Sequence, residues 1–262
     1  MTTKKRIIPV DNKRKLHAIH YLSDKDLNNE RVIKNPLVII CHGFTGDKYE
    51  WGRYPKAASE LNKEGFDALL FDFSGSGENT REPVLLSKQV EDLEEVSKWA
   101  QNIGYTKISV IGLSFGGLTL LYANLPNIKT NIFWAPAFYI DKIIGKFRIK
   151  LIKLVIRIGI KQLKLKSSGK GEKIIITSNF INEILNVQSN ERIDKIDKPT
   201  LIIQGTQDKD VKPEFTREAY SHIPDTLDHK LIEIEGTDHE FSGKYLERFI
   251  EFSIEWLEKY LK

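Results

Sequence analysis

The chain has 262 residues, 40% of them hydrophobic and 29% charged, with a net charge of +4. That length is ample for one well-buried core, and the balance excludes disordered, collagen-like and fibrous proteins. No stretch reaches the roughly 18 uncharged apolar residues of a membrane span. The N-terminus runs from basic residues straight to Pro9 and Asp11, without the apolar stretch of a secretory signal. Cys41 is the only cysteine, so no intramolecular disulfide can form, and the expected location is cytoplasmic.

In chain order, residues 6–10 and 16–22 flank the polar stretch DNKRK and predict an antiparallel hairpin on a sheet edge. Strands are then predicted at 37–41, 68–71, 108–111, 131–134, 200–204 and 230–234. Runs such as LVIIC and SVIGL are apolar throughout, as strands buried on both faces require. Helical patterns lie between them at 55–64, 86–102, 115–123, 213–222 and 244–262. This alternation predicts an α/β fold with a mostly parallel central sheet flanked by helices. Residues 137–192 break the rhythm and show no clear strand–helix unit where a short crossover would suffice. They are read as an inserted cap, or lid, on a single core made of 1–136 and 193–262.

The chemistry begins where strand 108–111 runs into Gly112-Leu113-Ser114-Phe115-Gly116. A G-x-S-x-G between a strand and a helix is a nucleophile elbow, which exposes the serine hydroxyl at the carboxyl end of the sheet. A hydroxyl is a weak nucleophile and needs a base, which in turn needs an orienting acid. Among the six histidines, His17 and His20 fall in the hairpin, and His222 and His229 flank a solvated loop. His42, in CHGFTG, suits a loop-shaping role. His239 follows the last strand, in EGTDHEF, and is the expected general base. Asp208 and Asp210, after strand 200–204, both qualify by position as the acid, with Asp208 favoured. Asp238 is too close in sequence to reach the far side of the adjacent ring.

The motifs CHGFTGDK, FDFSGSGEN and GLSFGG resemble those of the α/β-hydrolase superfamily. Within it they are most similar to the feruloyl and cinnamoyl esterases and to monoacylglycerol lipase and serine aminopeptidase-like hydrolases. The likeness spans nearly the whole chain. It implies a serine carboxylic-ester hydrolase with Ser114, Asp208 and His239 as its catalytic residues, in the chain order of that superfamily. It also implies an oxyanion hole made by the backbone N–H groups of Phe44 and Phe115. The acid position, three residues after Gly205, matches the family pattern G-x-x-D and singles out Asp208. Ser74 and Ser76 stand where the wider family tends to have an arginine and a histidine. Monoacylglycerol lipase, thioesterase and peptidase activities are alternatives on the same machinery, and a non-catalytic ligand-binding protein of this fold is another.

No cofactor and no metal are expected, since P-loop, dinucleotide and zinc-binding patterns are missing. The implied partner is a small-molecule ester with an apolar acyl or aryl group. Between residues 142 and 173 there are eleven Lys or Arg and one acid, so this stretch carries +10 and the rest of the chain −6. Lys146, Lys150, Lys153, Arg157, Lys161 and Lys164 recur at helical intervals, and the segment is read as a basic amphipathic cap helix. Its apolar side would roof the pocket, and a weak contact with an anionic membrane surface is the sharper expectation. Nucleic acid is not expected, because only Phe147 lies among the cations to stack on bases.

Overall fold

The chain opens as an antiparallel hairpin, with β1 (Thr2–Pro9) paired to β2 (Lys15–Leu22). The structure is a computed structural model, and it describes residues 2–23, 35–157, 162–166, 173–241 and 243–262. The hairpin turn is closed by Asp11, whose Oδ1 accepts the N–H groups of Lys13 and Arg14 at 2.7 and 2.8 Å. Lys4 and Lys5 stand exposed on β1, and charge on an outermost strand discourages pairing with another chain.

Strand and helix then alternate through β3 (Leu37–Cys41), α1 (Arg53–Lys63), β4 (Asp67–Phe71), α2 (Leu86–Asn102), β5 (Ile108–Leu113), α3 (Phe115–Tyr122) and β6 (Ile128–Trp134). The inserted segment follows, with α4 (Ile140–Ile144), α5 (Lys146–Arg157), β7 (Gln162–Lys166), β8 (Lys173–Thr177), α6 (Ser178–Leu185) and α7 (Ser189–Ile193). The core closes with β9 (Thr200–Gly205), α8 (Pro213–Tyr220), β10 (His229–Ile234) and α9 (Tyr245–Leu261).

The main sheet has the order β1-β2-β4-β3-β5-β6-β9-β10, antiparallel at the hairpin and parallel from β4 to β10. Alternate residues of β3 show how the two faces are built. Leu37, Ile39 and Cys41 pack with Leu93, Val96 and Ala100 of α2, whereas Val38 and Ile40 pack with Tyr54, Ala57 and Leu61 of α1. Helix α9 covers that second face with Phe249, Ile250 and Leu257. Full burial of each such side chain contributes roughly 1.5–3 kcal/mol, so this two-sided packing dominates stability. Among the described residues no helix is long and apolar enough to cross a membrane.

The inserted segment corrects the expectation that it lacks strand–helix units. β7 and β8 pair antiparallel, from Gln162 opposite Thr177 to Lys166 opposite Lys173. The expected helical stripe is also corrected. The helix ends at Arg157, and Lys164 lies on a strand. Gly159 is a poor helix former, and Gln162-Leu163-Lys164-Leu165-Lys166 alternates with the period of two that a strand requires. Lys161 lies outside the described residues.

Half of the segment is fastened to the core. Ile174, Ile176, Phe180, Ile181 and Ile184 form one apolar cluster with Val84, Leu86, Phe115 and Leu118. The Glu183 carboxylate accepts the Leu86 N–H at 2.7 Å and the Ser87 hydroxyl at 2.5 Å, so a side chain of α6 satisfies the start of α2. The Ile175 carbonyl accepts the Val84 N–H at 3.0 Å.

Candidate active site

Between β5 and α3 the backbone reverses at Ser114, which takes φ 51 and ψ −115. A serine rarely adopts this conformation, and it persists because its surroundings hold it there. The Ser114 N–H donates to Trp134 O at 2.9 Å, and its carbonyl accepts the N–H groups of Gly117 and Ala137. The flanking glycines are required by contact. A Cβ at Gly112 would fall 2.7 Å from Gly116 O, and one at Gly116 would fall 2.5 Å from His42 O. The turn therefore packs directly on the loop after β3, and a Cβ at Gly43 would lie 3.5 Å from Ser114 Cβ.

His42 shapes that loop. Its Nε2 accepts the Phe73 N–H at 3.1 Å, which leaves the hydrogen on Nδ1, 2.9 Å from Gly43 O. With both ring nitrogens occupied, it has no free lone pair for a reacting hydroxyl. Phe44 follows, its ring 5.6 Å from that of Phe115 and stacked on Phe180 of α6 at 5.5 Å. Phe115 is the first residue of α3, where a backbone N–H has no acceptor within the helix. The two expected oxyanion-hole residues thus lie side by side against the elbow, in an aromatic cluster that includes Phe180 of α6.

Asp208 and His239 meet at the carboxyl ends of β9 and β10. His239 Nδ1 lies 2.7 Å from Asp208 Oδ2. The other Asp208 oxygen accepts the N–H groups of Asp210 and Val211 at 2.9 and 2.8 Å. Asp208 is buried, whereas Asp210 is exposed and uses its main chain, not its carboxylate, to support Asp208. The remaining histidines are elsewhere. His20 is buried against the Tyr105 hydroxyl, and burial pushes its pKa down to about 3. His17 bonds Asn79, His222 faces Asp194, and His229 faces Leu227 O.

No hydrogen bond joins Ser114 Oγ to His239 among the described residues; such bonds often form only with substrate in place. Donor atoms of Asp208, Asp210 and His239 fall within 4.8 Å of one another. Both Asp208 oxygens are engaged by N–H donors, which suits a carboxylate holding an imidazole better than one holding a cation.

Burial by itself lowers the His239 pKa. The hydrogen bond to Asp208 and the charges of Asp208, Asp210 and Glu240 outweigh it, and the net shift is upward from the ordinary 6.5. A histidine that serves as general base works only when neutral, so on that expectation activity should fall as the pH drops through this raised value. A profile of kcat/KM against pH should therefore place its acidic limb above 6.5, and Asp208→Asn should move the limb down. For stability the sign is reversed. The raised value favours the fold at low pH, and that contribution fades as the pH rises through it.

Two supporting groups have only weak sequence signals. Lys48 and Asp72 form a buried ion pair at 2.5 Å, and the Lys48 N–H also donates to Asp72 at 2.8 Å. This pair joins the CHGFTGDK loop to the FDFSGSGEN loop. Removing one partner of such a pair typically costs about 3–5 kcal/mol. Gln204, the polar residue within the apolar strand TLIIQG, donates to Asp208 Oδ2 at 3.0 Å and so steadies the acid. A buried amide at a strand end is the visible clue.

The sheet, the elbow and the two loops give the chain the alpha/beta hydrolase fold. The family of that description matches residues 36–125, from β3 through the elbow to the end of α3. An uncharacterized 31.7 kDa protein of Escherichia coli, from the traX-finO intergenic region, is 23% identical over 87% of this chain and 92% of its own length. Est1E from Butyrivibrio proteoclasticus, solved with ferulic acid bound, is similar at 25% identity and TM-score 0.73, over 97% of this chain and 99% of that one. A monoacylglycerol lipase from Paleococcus ferrophilus is similar in fold at 20% identity and TM-score 0.74, over 93% and 98%.

Proposed function

We propose that this protein is a serine carboxylic-ester hydrolase acting on small esters with an apolar acyl or aryl group. The 2.7 Å contact between His239 and Asp208 carries the reading, because it lies at the same sheet edge as the strained Ser114. Asp208 keeps the hydrogen on Nδ1 and leaves Nε2 as the base. Ser114 Oγ attacks the ester carbonyl while its proton passes to Nε2. The N–H groups of Phe44 and Phe115 hold the oxyanion, and loss of one such donor typically costs roughly 3–4 kcal/mol. The imidazolium returns its proton to the leaving alcohol, and water then attacks the acyl-enzyme by the same route. No cofactor takes part.

The aromatic wall of Phe44, Phe115 and Phe180 supports an apolar acyl or aryl group. Est1E with ferulic acid and the monoacylglycerol lipase point to the same two substrate types. The inserted segment 137–192 acts as the lid that supplies Phe180, and the lone Cys41 goes with a cytoplasmic location.

A second observation concerns the substrate's setting. Leu151, Leu154, Leu163 and Leu165 are 53, 54, 45 and 41% exposed, among the exposed cations Arg148, Lys150, Arg157, Lys164 and Lys166. Apolar groups among cations favour contact with anionic lipid. One panel tests both points. It comprises p-nitrophenyl esters from acetate to palmitate, methyl ferulate, and a monoacylglycerol in neutral or anionic vesicles. Each buried methylene adds about 0.8 kcal/mol, so kcat/KM should rise roughly fourfold per methylene over the shorter esters. Monoacylglycerol turnover should be faster from anionic vesicles, and salt should abolish the difference. A flat chain-length profile would remove the apolar acyl site, and equal turnover from both vesicles would remove the lipid contact. Turnover of thioesters or peptides alone would shift the reading to those substrates.

A further inference from the structure

The segment joining the oxyanion loop to α1 winds against its natural hand. Glu50, Trp51 and Gly52 have φ values of 39, 53 and 91, and for the first two this is strained backbone. Glu50 is buried beneath that loop, where a Cβ at Gly46 would fall 1.8 Å from its Oε1. The loop that carries His239 is strained as well, with φ 52 at Phe241.

One side chain spans the two. Arg53 Nη2 lies 2.9 Å from Glu50 Oε2, and its Nε donates to Glu50 O at 3.3 Å. Its Nη1 donates to the carbonyl of Glu240 at 2.9 Å, and Nη2 lies 3.2 Å from the Glu240 carboxylate. The guanidinium also packs 4.9 Å from the Trp51 ring and 5.8 Å from that of Phe241. Phe241 in turn stacks on Phe249 of α9 at 3.9 Å and meets Trp134, whose carbonyl holds the Ser114 N–H. The same group therefore bonds the main chain on both sides of the site.

We propose that Arg53 is a positioning residue, a clamp that sets the distance between the Phe44 oxyanion loop and the His239 loop. The inference rests on the serine-hydrolase reading above. A guanidinium suits the task because its planar fork of five donors can serve two carbonyls and two carboxylates together. The ammonium of lysine is a single point of charge and cannot span both loops. Misplacement of a catalytic group by about 1 Å can cost on the order of 100-fold in rate, so a clamp outside the chemistry should appear in kcat.

The charged groups facing His239 are Asp208 and Asp210, from the loop after β9, and Glu240 beside it; Arg53 neutralises Glu240 from the α1 side. Two substitutions should therefore move the acidic limb of kcat/KM in opposite directions. Arg53→Gln uncovers the Glu240 charge and should shift the limb to higher pH. Glu240→Gln removes that charge and should shift it to lower pH.

The experiment compares the full chain with Arg53→Gln, Arg53→Lys and Glu240→Gln in ester turnover, pH profile and labelling by a fluorophosphonate probe. Arg53→Gln should lower kcat roughly 30-fold with KM within about threefold. Arg53→Lys keeps the charge beside buried Glu50, which protects the fold, and should still lose about tenfold in kcat. Wild-type kcat in either Arg53 variant, or a loss of kcat without opposed limb shifts, would overturn the clamp. Absence of Ser114-dependent labelling in the wild type would instead overturn the underlying hydrolase reading.

Discussion

Ser114→Ala should abolish covalent labelling by a fluorophosphonate and reduce kcat by about a million-fold, while the protein keeps its fold. The alanine loses only the hydroxyl. The φ of 51 and the hydrogen bonds of the residue 114 backbone to Trp134, Gly117 and Ala137 all remain. Ser114→Gly should be equally inactive yet more stable by about 1 kcal/mol or more, because glycine adopts a positive φ without strain. Such a gain in melting temperature with complete loss of turnover would show backbone strain kept for the sake of the nucleophile. His239→Ala should lose comparable activity, but it also leaves the buried Asp208 carboxylate without its imidazole and should be less stable. Ser114→Ala with more than a tenth of wild-type kcat would remove serine from the mechanism.

Asp208→Asn should lower kcat on the order of 10⁴-fold, whereas Asp210→Asn should stay within about threefold of wild type. The carboxamide occupies the same space, but its NH₂ cannot accept the Nδ1 hydrogen, so the imidazole turns to the wrong tautomer. The Asp208 site is demanding because four donors converge on it: His239 Nδ1, Gln204 Nε2 and the N–H groups of Asp210 and Val211. Asp210 contributes its main chain to this arrangement, and that survives in Asp210→Asn. Steady-state kinetics on both variants with one activated ester decides the matter. Equal effects would leave the orienting acid unassigned.

The features legible in the sequence are those set by neighbouring residues. LVIIC alternates two faces into two cores, and Asp11 closes its hairpin through its own turn. G-x-S-x-G states a local backbone demand, since Gly112 and Gly116 touch chain that only glycine admits. His42 could be separated from His239 because each follows a recognisable strand. The basic segment is not legible in this way. Its helical spacing of cations continues past Gly159 to Lys164, which lies on β7, because lysines three or four apart occur by chance on either element once charge is dense. Only the folded chain decided which loops meet. The Lys48–Asp72 pair, the Gln204 support, the Phe44–Phe180 stack and the Arg53 clamp join residues 24, 4, 136 and 187 positions apart. Of these, only Gln204 to Asp208 is near in sequence, and it too depends on the turn after β9 folding back over the strand end. Periodicity and turn chemistry act over a few residues, whereas the placing of Ser114, Asp208 and His239 is set where separate strands of one sheet end side by side.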